Sequence, residues 1–480
     1  MGGIGQLRQR VTIGSLPDDV LLKIFKLFIG EMELYSITPH KWRTLVHVCQ
    51  SWRSLAFTSP RHLNLQLLLR SPRTSVKEMV EIWPELPIYI HSAEYLKGEE
   101  KDAFLTALRL NHRVSGIHID HDFDSTWENL APLMQQPFPT LTHLWLRPRY
   151  SITNPISRSF LGGSAPCLRF LYLDSIPFPA LPNLLLSATN LVRLSYNNSQ
   201  PSGYIPPQEM VTGLSALTRL ESLCLAFRPE SPAYSKIRIP PPHTRTLLPA
   251  LTNLDFRSVP EYVEDFVAQI DAPLLESTWI TLFHREGLEV SELSKFLHRT
   301  DKLSLINQAK VTFSFDSIFI TLSHELLEGN VGPKTLRLYF DGRESVLPLS
   351  YLVQFCASCL PSLPPFESLY MCVPFSRWED TADDPDHQWL GLLRPFNTVQ
   401  GLYLSSSVAP RVAQALRRLP VERVMQVLPA LETVSISRLK SFGHVKEAFS
   451  EFADTRQLSG YPVFIGDWDG AAINVDECKD

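Results

Sequence analysis

The stretch C-L-R-F-L-Y-L, Cys167–Leu173, decides the fold, because its pattern returns along most of the chain. From Leu168 on it is a six-residue pattern in which Leu168, Leu171 and Leu173 take the first, fourth and sixth places, with Tyr172 between the last two. Residues two apart share one face of a strand, so Leu171 and Leu173 point into a core and Tyr172 to the opposite face. The spacing recurs upstream in Val114-Ile117-Ile119 and Leu141-Leu144-Leu146. Downstream it recurs in Leu191-Leu194-Tyr196, Leu220-Leu223-Leu225 and Leu251-Leu254-Phe256. It continues in Leu275-Thr278-Ile280, Thr335-Leu338-Phe340, Phe366-Leu369-Met371, Val399-Leu402-Leu404 and Leu431-Val434-Ile436, and Ile88-Tyr89-Ile90 opens the series. Most copies lie about 23 to 33 residues apart, the period of stacked strand-and-helix units. One further repeat is inferred between Asp301 and Phe315, where the register is hard to follow.

Segments between the copies have helical periodicity: Tyr262 to Ile270, Ser291 to His298, Ser350 to Leu360, Arg411 to Leu419 and Lys446 to Phe452. Strands separated by such crossovers are expected to lie side by side in parallel. Loops are expected at Pro201 to Pro207, Glu230 to Pro242 and the acidic Trp378 to His387, and Tyr461 to Gly470 as an irregular cap on the last repeat.

Ahead of the repeats stands S-L-P-D-D-V-L-L-K-I-F-K-L-F-I, Ser15–Ile29. Pro17 suits a first helical turn and Asp18 and Asp19 favour its positive end, so a helix is predicted from about Pro17. Its apolar residues cover roughly 220°, far more than a surface helix buries. A second helix is predicted from Thr38-Pro39 through Trp42, Leu45, Val46, Cys49, Trp52 and Ala56. Two short helices cannot bury that much surface in each other. The excess must pack on the rest of the chain, dock on another protein, or both.

Leu16-Pro17, Val20-Leu21, Ile24-Phe25, Val48-Cys49, Ser51-Trp52-Arg53 and Leu55-Ala56 resemble the F-box, a helical module that binds the Skp adaptor of cullin-based ubiquitin ligases. The repeats resemble the leucine-rich repeat family. The connection Gly30 to His40 lengthens the F-box pattern, and Arg149, Ile176 and Ser199 stand where the repeat family places Asn or Cys. The resemblance therefore implies an α/β chain with a small helical head and an irregular leucine-rich-repeat-like solenoid. The expected layout is a tail at 1–14, the F-box at 15–70, a junction at 71–85, the solenoid at 86–440 and the cap at 441–480. Leu16, Pro17, Val20, Leu21, Ile24, Phe25, Val48, Cys49, Trp52 and Arg53 are implied to lie at or behind the adaptor interface.

Hydrophobic content of 44% and charge content of 20% are those of a folded protein. A net charge of −5 without long like-charge runs argues against nucleic acid and anionic membranes as partners. No signal peptide precedes the first helix, and seven scattered cysteines suit reduced thiols, so a soluble protein of cytoplasm or nucleus is expected. Phosphate-loop, dinucleotide, zinc-protease and nucleophile-elbow motifs are missing, which gives no reason to expect catalytic residues, a metal or a cofactor. Cys356-Ala-Ser-Cys359 reads as core, and His118 and Asp120 as a solvated strand face.

The residue between the last two apolar places is Trp145, Tyr172, Ser195, Cys224, Asp255, Trp279, Tyr339, Tyr370, Tyr403 and Ser435 in ten readable units. Six of these are aromatic against 10% overall, so an aromatic column is expected across the sheet. Strand propensity explains it, or a binding surface for a target protein, with Trp145, Tyr172, Trp279, Tyr339, Tyr370 and Tyr403 as anchors. If the column is open, Trp279→Ala and Tyr370→Ala should leave stability nearly unchanged. The expected function is a non-catalytic substrate receptor that joins a target, through the Skp adaptor, to a cullin ligase. The alternatives are a scaffold with the same parts and no cullin, or an enzyme whose site has no recognisable motif.

Overall fold

Strand alternation and helical spacing follow each other along the chain, and the computed structural model is accordingly a mixed α/β protein. It describes residues 13, 16–29, 41–59, 62–63, 65–69, 86–92, 99–120, 124–227, 244–283, 290–300, 302, 306–314, 316–324, 335–342, 348–360, 365–373, 385–437 and 443–468. The chain divides into two compact units, Met1–Tyr150 with Ser159–Gly162, and Ser151–Arg158 with Gly163–Asp480.

The first unit begins with α1 (Asp18–Ile29), whose first turn carries Asp18 and Asp19 and whose opening amides bond to the Pro17 carbonyl. The single helix predicted across Trp42 to Ala56 is instead two, α2 (Lys41–Val46) and α3 (Gln50–Thr58). Cys49 breaks it by adopting an extended backbone, and its Sγ accepts from the Trp52 amide at 3.4 Å to cap α3. Arg53 Nε donates to the Val46 carbonyl at 2.8 Å and so satisfies the end of α2. The predicted Thr38-Pro39 start, the Gly30–His40 connection and the 71–85 junction lie outside the described residues.

Next come β1 (Leu67–Leu69), β2 (Ile88–Ser92), α4 (Glu99–Leu108), β3 (Val114–Asp120), α5 (Asp124–Leu133) and β4 (His143–Arg147). The strand series opens one strand earlier than expected, since Leu67 pairs in parallel with Ile88. The run read as the end of the head therefore belongs to the sheet. β2, β3 and β4 continue it in parallel.

In the second unit the chain runs β5 (Phe170–Asp174), α6 (Leu181–Leu185), β6 (Arg193–Asn198), α7 (Pro207–Leu214), β7 (Ser222–Phe227), β8 (Thr246–Leu247), β9 (Asn253–Ser258), α8 (Pro260–Val267), β10 (Ile270–Asp271), β11 (Ser277–Phe283) and α9 (Ser291–His298). It continues β12 (Gln308–Phe313), β13 (Ser317–Ser323), β14 (Thr335–Asp341), α10 (Leu349–Cys359), β15 (Ser368–Cys372), α11 (Pro385–Leu393), β16 (Gly401–Leu404), α12 (Ala409–Arg417), β17 (Thr433–Ser437), α13 (Gly443–Leu458) and β18 (Phe464–Trp468). β8 and β10 form a separate parallel pair. The others lie in the order β5-β6-β7-β9-β11-β14-β13-β12-β15-β16-β17-β18.

The stretch whose register was hard to follow holds no ordinary repeat. β12, β13 and β14 form an antiparallel meander, and β13 is flanked by β12 and β14, each of which is parallel to its outer neighbour. The segment expected as an irregular cap contains a regular strand, β18, paired in parallel with β17.

Proline opens α6, α7, α8 and α12, where its missing N–H costs nothing. α9 lacks one, and the buried Glu264 carboxylate of α8 caps it instead, accepting from the Glu292 and Leu293 amides at 2.8 Å each. Helices cover the apolar strand face: Phe256 packs on Tyr262 and Phe266, Phe340 on Tyr351 and Phe355, and Phe313 on Trp389. Cys356 and Cys359 are buried in that layer. Buried hydroxyls there find partners, with Tyr262 Oη donating to the Ile205 carbonyl at 2.8 Å and Tyr196 Oη to that of Gly203 at 3.1 Å. No described helix is long and apolar enough to cross a membrane.

Candidate protein-docking faces

Helix α1 is divided lengthwise. Leu21 and Phe25 are buried in a core with Trp42, Leu45, Val46, Ala56, Leu63, Leu65, Leu67 and Leu86. Trp52 packs its ring 4.7 Å from Phe25 and is half-buried. Part of the apolar excess is thus absorbed by the chain itself. The remainder is not: Ile24 is 37% exposed, Leu27 82% and Phe28 46%. With half-buried Val20, these fall within an arc of about 100° at helical spacing. Pro17, Val48, Cys49 and Arg53 are exposed, and Leu16 is half-buried. Of the ten residues expected at or behind an interface, Leu21, Phe25 and Trp52 therefore hold the head together, while Ile24 faces solvent. Leu27, the most exposed large apolar residue of the helix, was legible only as part of the apolar arc.

The second face is the strand surface opposite the helices. In the first unit the register aligns His91, His118 and Trp145, with the His118 and Trp145 rings stacked 5.1 Å apart at 3° and His91 4.7 Å from His118. Burial, then His91, push the His118 imidazole down to about 4, against the opposing pull of Asp120. Arg147 holds Asp120 at 2.7 Å. His118 and Asp120 are half-buried on that strand face.

In the second unit Tyr172, Ser195, Cys224, Asp255 and Trp279 align on successive strands. Beyond Trp279 the aligned residue is Arg337, not Tyr339. Leu336, Leu338 and Phe340 all point inward, so alternation alone allows two frames that differ by two residues. The register pairs Ile280 with Leu338, which moves Tyr339 one row on, beside Thr281, where its ring lies 4.4 Å from that of Phe319. The row resumes with Thr321, Lys310, Tyr370, Tyr403, Ser435 and Gly466.

The expected single column is thus two clusters in this unit. Half-buried Trp279 lies between Arg257 and Arg337, whose guanidinium carbons are 5.6 Å and 5.4 Å from its ring centroid. Tyr370 and Tyr403 stack at 4.4 Å and 12°, and Trp468 of β18 closes on both at 6.1 Å and 5.8 Å. Tyr370 is only 8% exposed, so its ring is covered and not open, and its truncation is expected to cost stability. Arg257, Arg337 and Trp468 were missed. The first two stand in plain strand alternation, which signals their face, but the third was hidden in a segment read as irregular.

No protein-family model matches the chain, and no curated protein matches it either. Among the described residues no group of three or more His, Cys, Asp or Glu is placed to hold a metal ion. Burial pushes the thiol of Cys224 up to about 12 and that of Cys359 well above its ordinary range, which leaves both as poor nucleophiles. Asp386, in the loop read as solvated, is buried in the first turn of α11 and paired with Arg418. Residues 378–384 of that loop, and Glu230 to Pro242, lie outside the described residues.

Proposed function

We propose that this chain is a non-catalytic substrate receptor of a Skp–cullin ubiquitin ligase, with an F-box head and a leucine-rich-repeat-like solenoid as its body. The observation that carries the reading is the exposed apolar side of α1, Ile24, Leu27 and Phe28, on a helix whose other side is anchored in its own core. Together with the F-box resemblance of Leu16 to Ala56, it supports docking on a Skp-family adaptor. The strand face opposite the helices would hold a target protein. Catalysis would then be proximity alone, raising the effective concentration of target lysines at the transferring enzyme. Such a protein works in cytoplasm or nucleus, away from nucleic acid and membrane.

The test is calorimetry of the purified chain with a purified Skp-family adaptor. Ile24→Asp and Leu27→Asp place a charge in a face that docking would dry, at a cost of several kcal/mol, and should abolish binding while the melting curve is unchanged. These substitutions are cleaner than Trp52→Ala, which cuts into the Phe25 contact. Adaptor affinity unchanged in both variants sinks the assignment. Adaptor binding without recruitment of a cullin would turn the reading to a scaffold.

A further inference from the structure

On the strand face of the second unit, the carboxylates of β5 and β9 have donors of their own. Asp174 accepts from Tyr172 Oη and Ser175 Oγ, and Asp255 accepts two hydrogen bonds from Arg257 at 3.0 Å and 2.8 Å. Arg337 differs. It stands beside Trp279 across the β11–β14 pairing, and among the described residues no carboxylate contacts it. Asp341, on the same face of β14, is four residues on, about 13 Å at strand rise. Trp279 Nε1 is covered and, among the described residues, has no acceptor, so Arg337 supplies the accessible N–H groups at this place.

A guanidinium lying on an indole is held in place while its N–H edge stays free for a planar, bidentate acceptor. Asp255 and Arg257 cancel, so among the described residues that flank Trp279 the excess is the positive charge of Arg337. Lys310 lies in the same row two strands away, about 10 Å at the usual spacing. One row along, the Tyr339 and Phe319 rings form an apolar shelf next to the cation.

We infer that this place takes the side-chain carboxylate of an acidic peptide segment, an Asp or Glu beside an apolar residue. The carboxylate pairs with Arg337 and the apolar neighbour lies on the Tyr339 and Phe319 rings. One charge matches one charge; a phosphate dianion would leave excess negative charge facing Asp255. The inference deepens the target-holding reading of the body and rests on it.

The experiment selects a random dodecapeptide display library on the full chain and, in parallel, on Arg337→Gln. Enrichment of Asp or Glu next to an apolar residue is expected on the wild type alone. A labelled copy of the most enriched peptide should bind at least tenfold more weakly, about 1.4 kcal/mol, to Arg337→Gln. The same loss is expected when its acid is replaced by the amide. Arg337→Lys should recover part of the affinity, and Trp279→Phe, which keeps a ring but holds the Arg337 guanidinium more weakly, should lose part. Thermal melts of all four proteins check that they fold. No acidic enrichment, or equal binding by Arg337→Gln, overturns the site. Tighter binding of the phosphoserine version overturns the choice of carboxylate. Adaptor affinity, measured on the same samples, should not change with Arg337→Gln. Its absence from the wild type, with peptide binding intact, would remove the ligase reading and leave this site standing.

Discussion

Replacing Tyr370 with alanine removes a ring that is 8% exposed and stacked on Tyr403 at 4.4 Å, with Trp468 packed across both. Truncating a fully buried aromatic costs about 3–5 kcal/mol. Tyr370 is covered by its neighbours on the sheet surface, not by the helix layer, so about 2–3 kcal/mol is the expectation. Of that, about 0.5–1.5 kcal/mol belongs to the ring pair itself. A double-mutant cycle with Tyr403→Ala isolates this part, and the double variant should be less destabilised than the sum by that amount. Urea unfolding gives the totals. Because stacked units need not unfold together, hydrogen exchange should show the loss concentrated in β15 to β18. Half-buried Trp279 should lose only about 1 kcal/mol on truncation to alanine. An unchanged unfolding midpoint for Tyr370→Ala, or strict additivity with Tyr403→Ala, would refute the reasoning that these rings hold this end of the sheet together.

Two further outcomes follow from buried polar groups. Arg456 is fully buried and donates to the carbonyls of Leu428, Pro429 and Leu431, pinning a turn in which Leu428 has a left-handed backbone. Arg456→Met keeps the apolar stem but orphans those carbonyls, and should cost about 2–4 kcal/mol after the relief of a buried charge is set against it. A wild-type melting temperature, or exchange at 428–437 no faster than wild type, would contradict this. For His118 the folded-state value, about 4, lies below the ordinary 6.5. Between these limits the unfolded chain binds more protons, so stability should fall as pH drops from 6.5 toward 4. His118→Gln should flatten that part of the melting-temperature profile; an identical slope would rule out the assignment.

What the sequence disclosed depended on whether one periodicity could be read in only one way. Leu171 and Leu173, or Leu144 and Leu146, lie in strands with a single inward frame, and their units fall where expected. Thr335 to Asp341 has three inward apolar residues, so its frame slipped by two and Tyr339 took the place of Arg337. Trp42 to Ala56 is helically periodic throughout, yet only a backbone break at Cys49 lets Arg53 reach the Val46 carbonyl. Tyr370 is buried by Trp468, which lies nearly a hundred residues later, and no local pattern reports a contact of that kind. The exposed side of α1 was legible as an excess of apolar arc, but which residues formed it depended on where Leu63, Leu65 and Leu86 packed.

The meander of β12, β13 and β14 bears on how the sheet keeps growing. A crossover of fixed hand, with its helix on a fixed face, advances to one side only for a given strand direction. A lone reversed strand would send the next crossover back over strands already laid down. The meander contains two reversals, so β14 leaves in the direction in which β12 arrived, and β15 joins beyond β12. Any lengthening or shortening at this point must add or remove strands in pairs, and a change of one would halt growth of the sheet there.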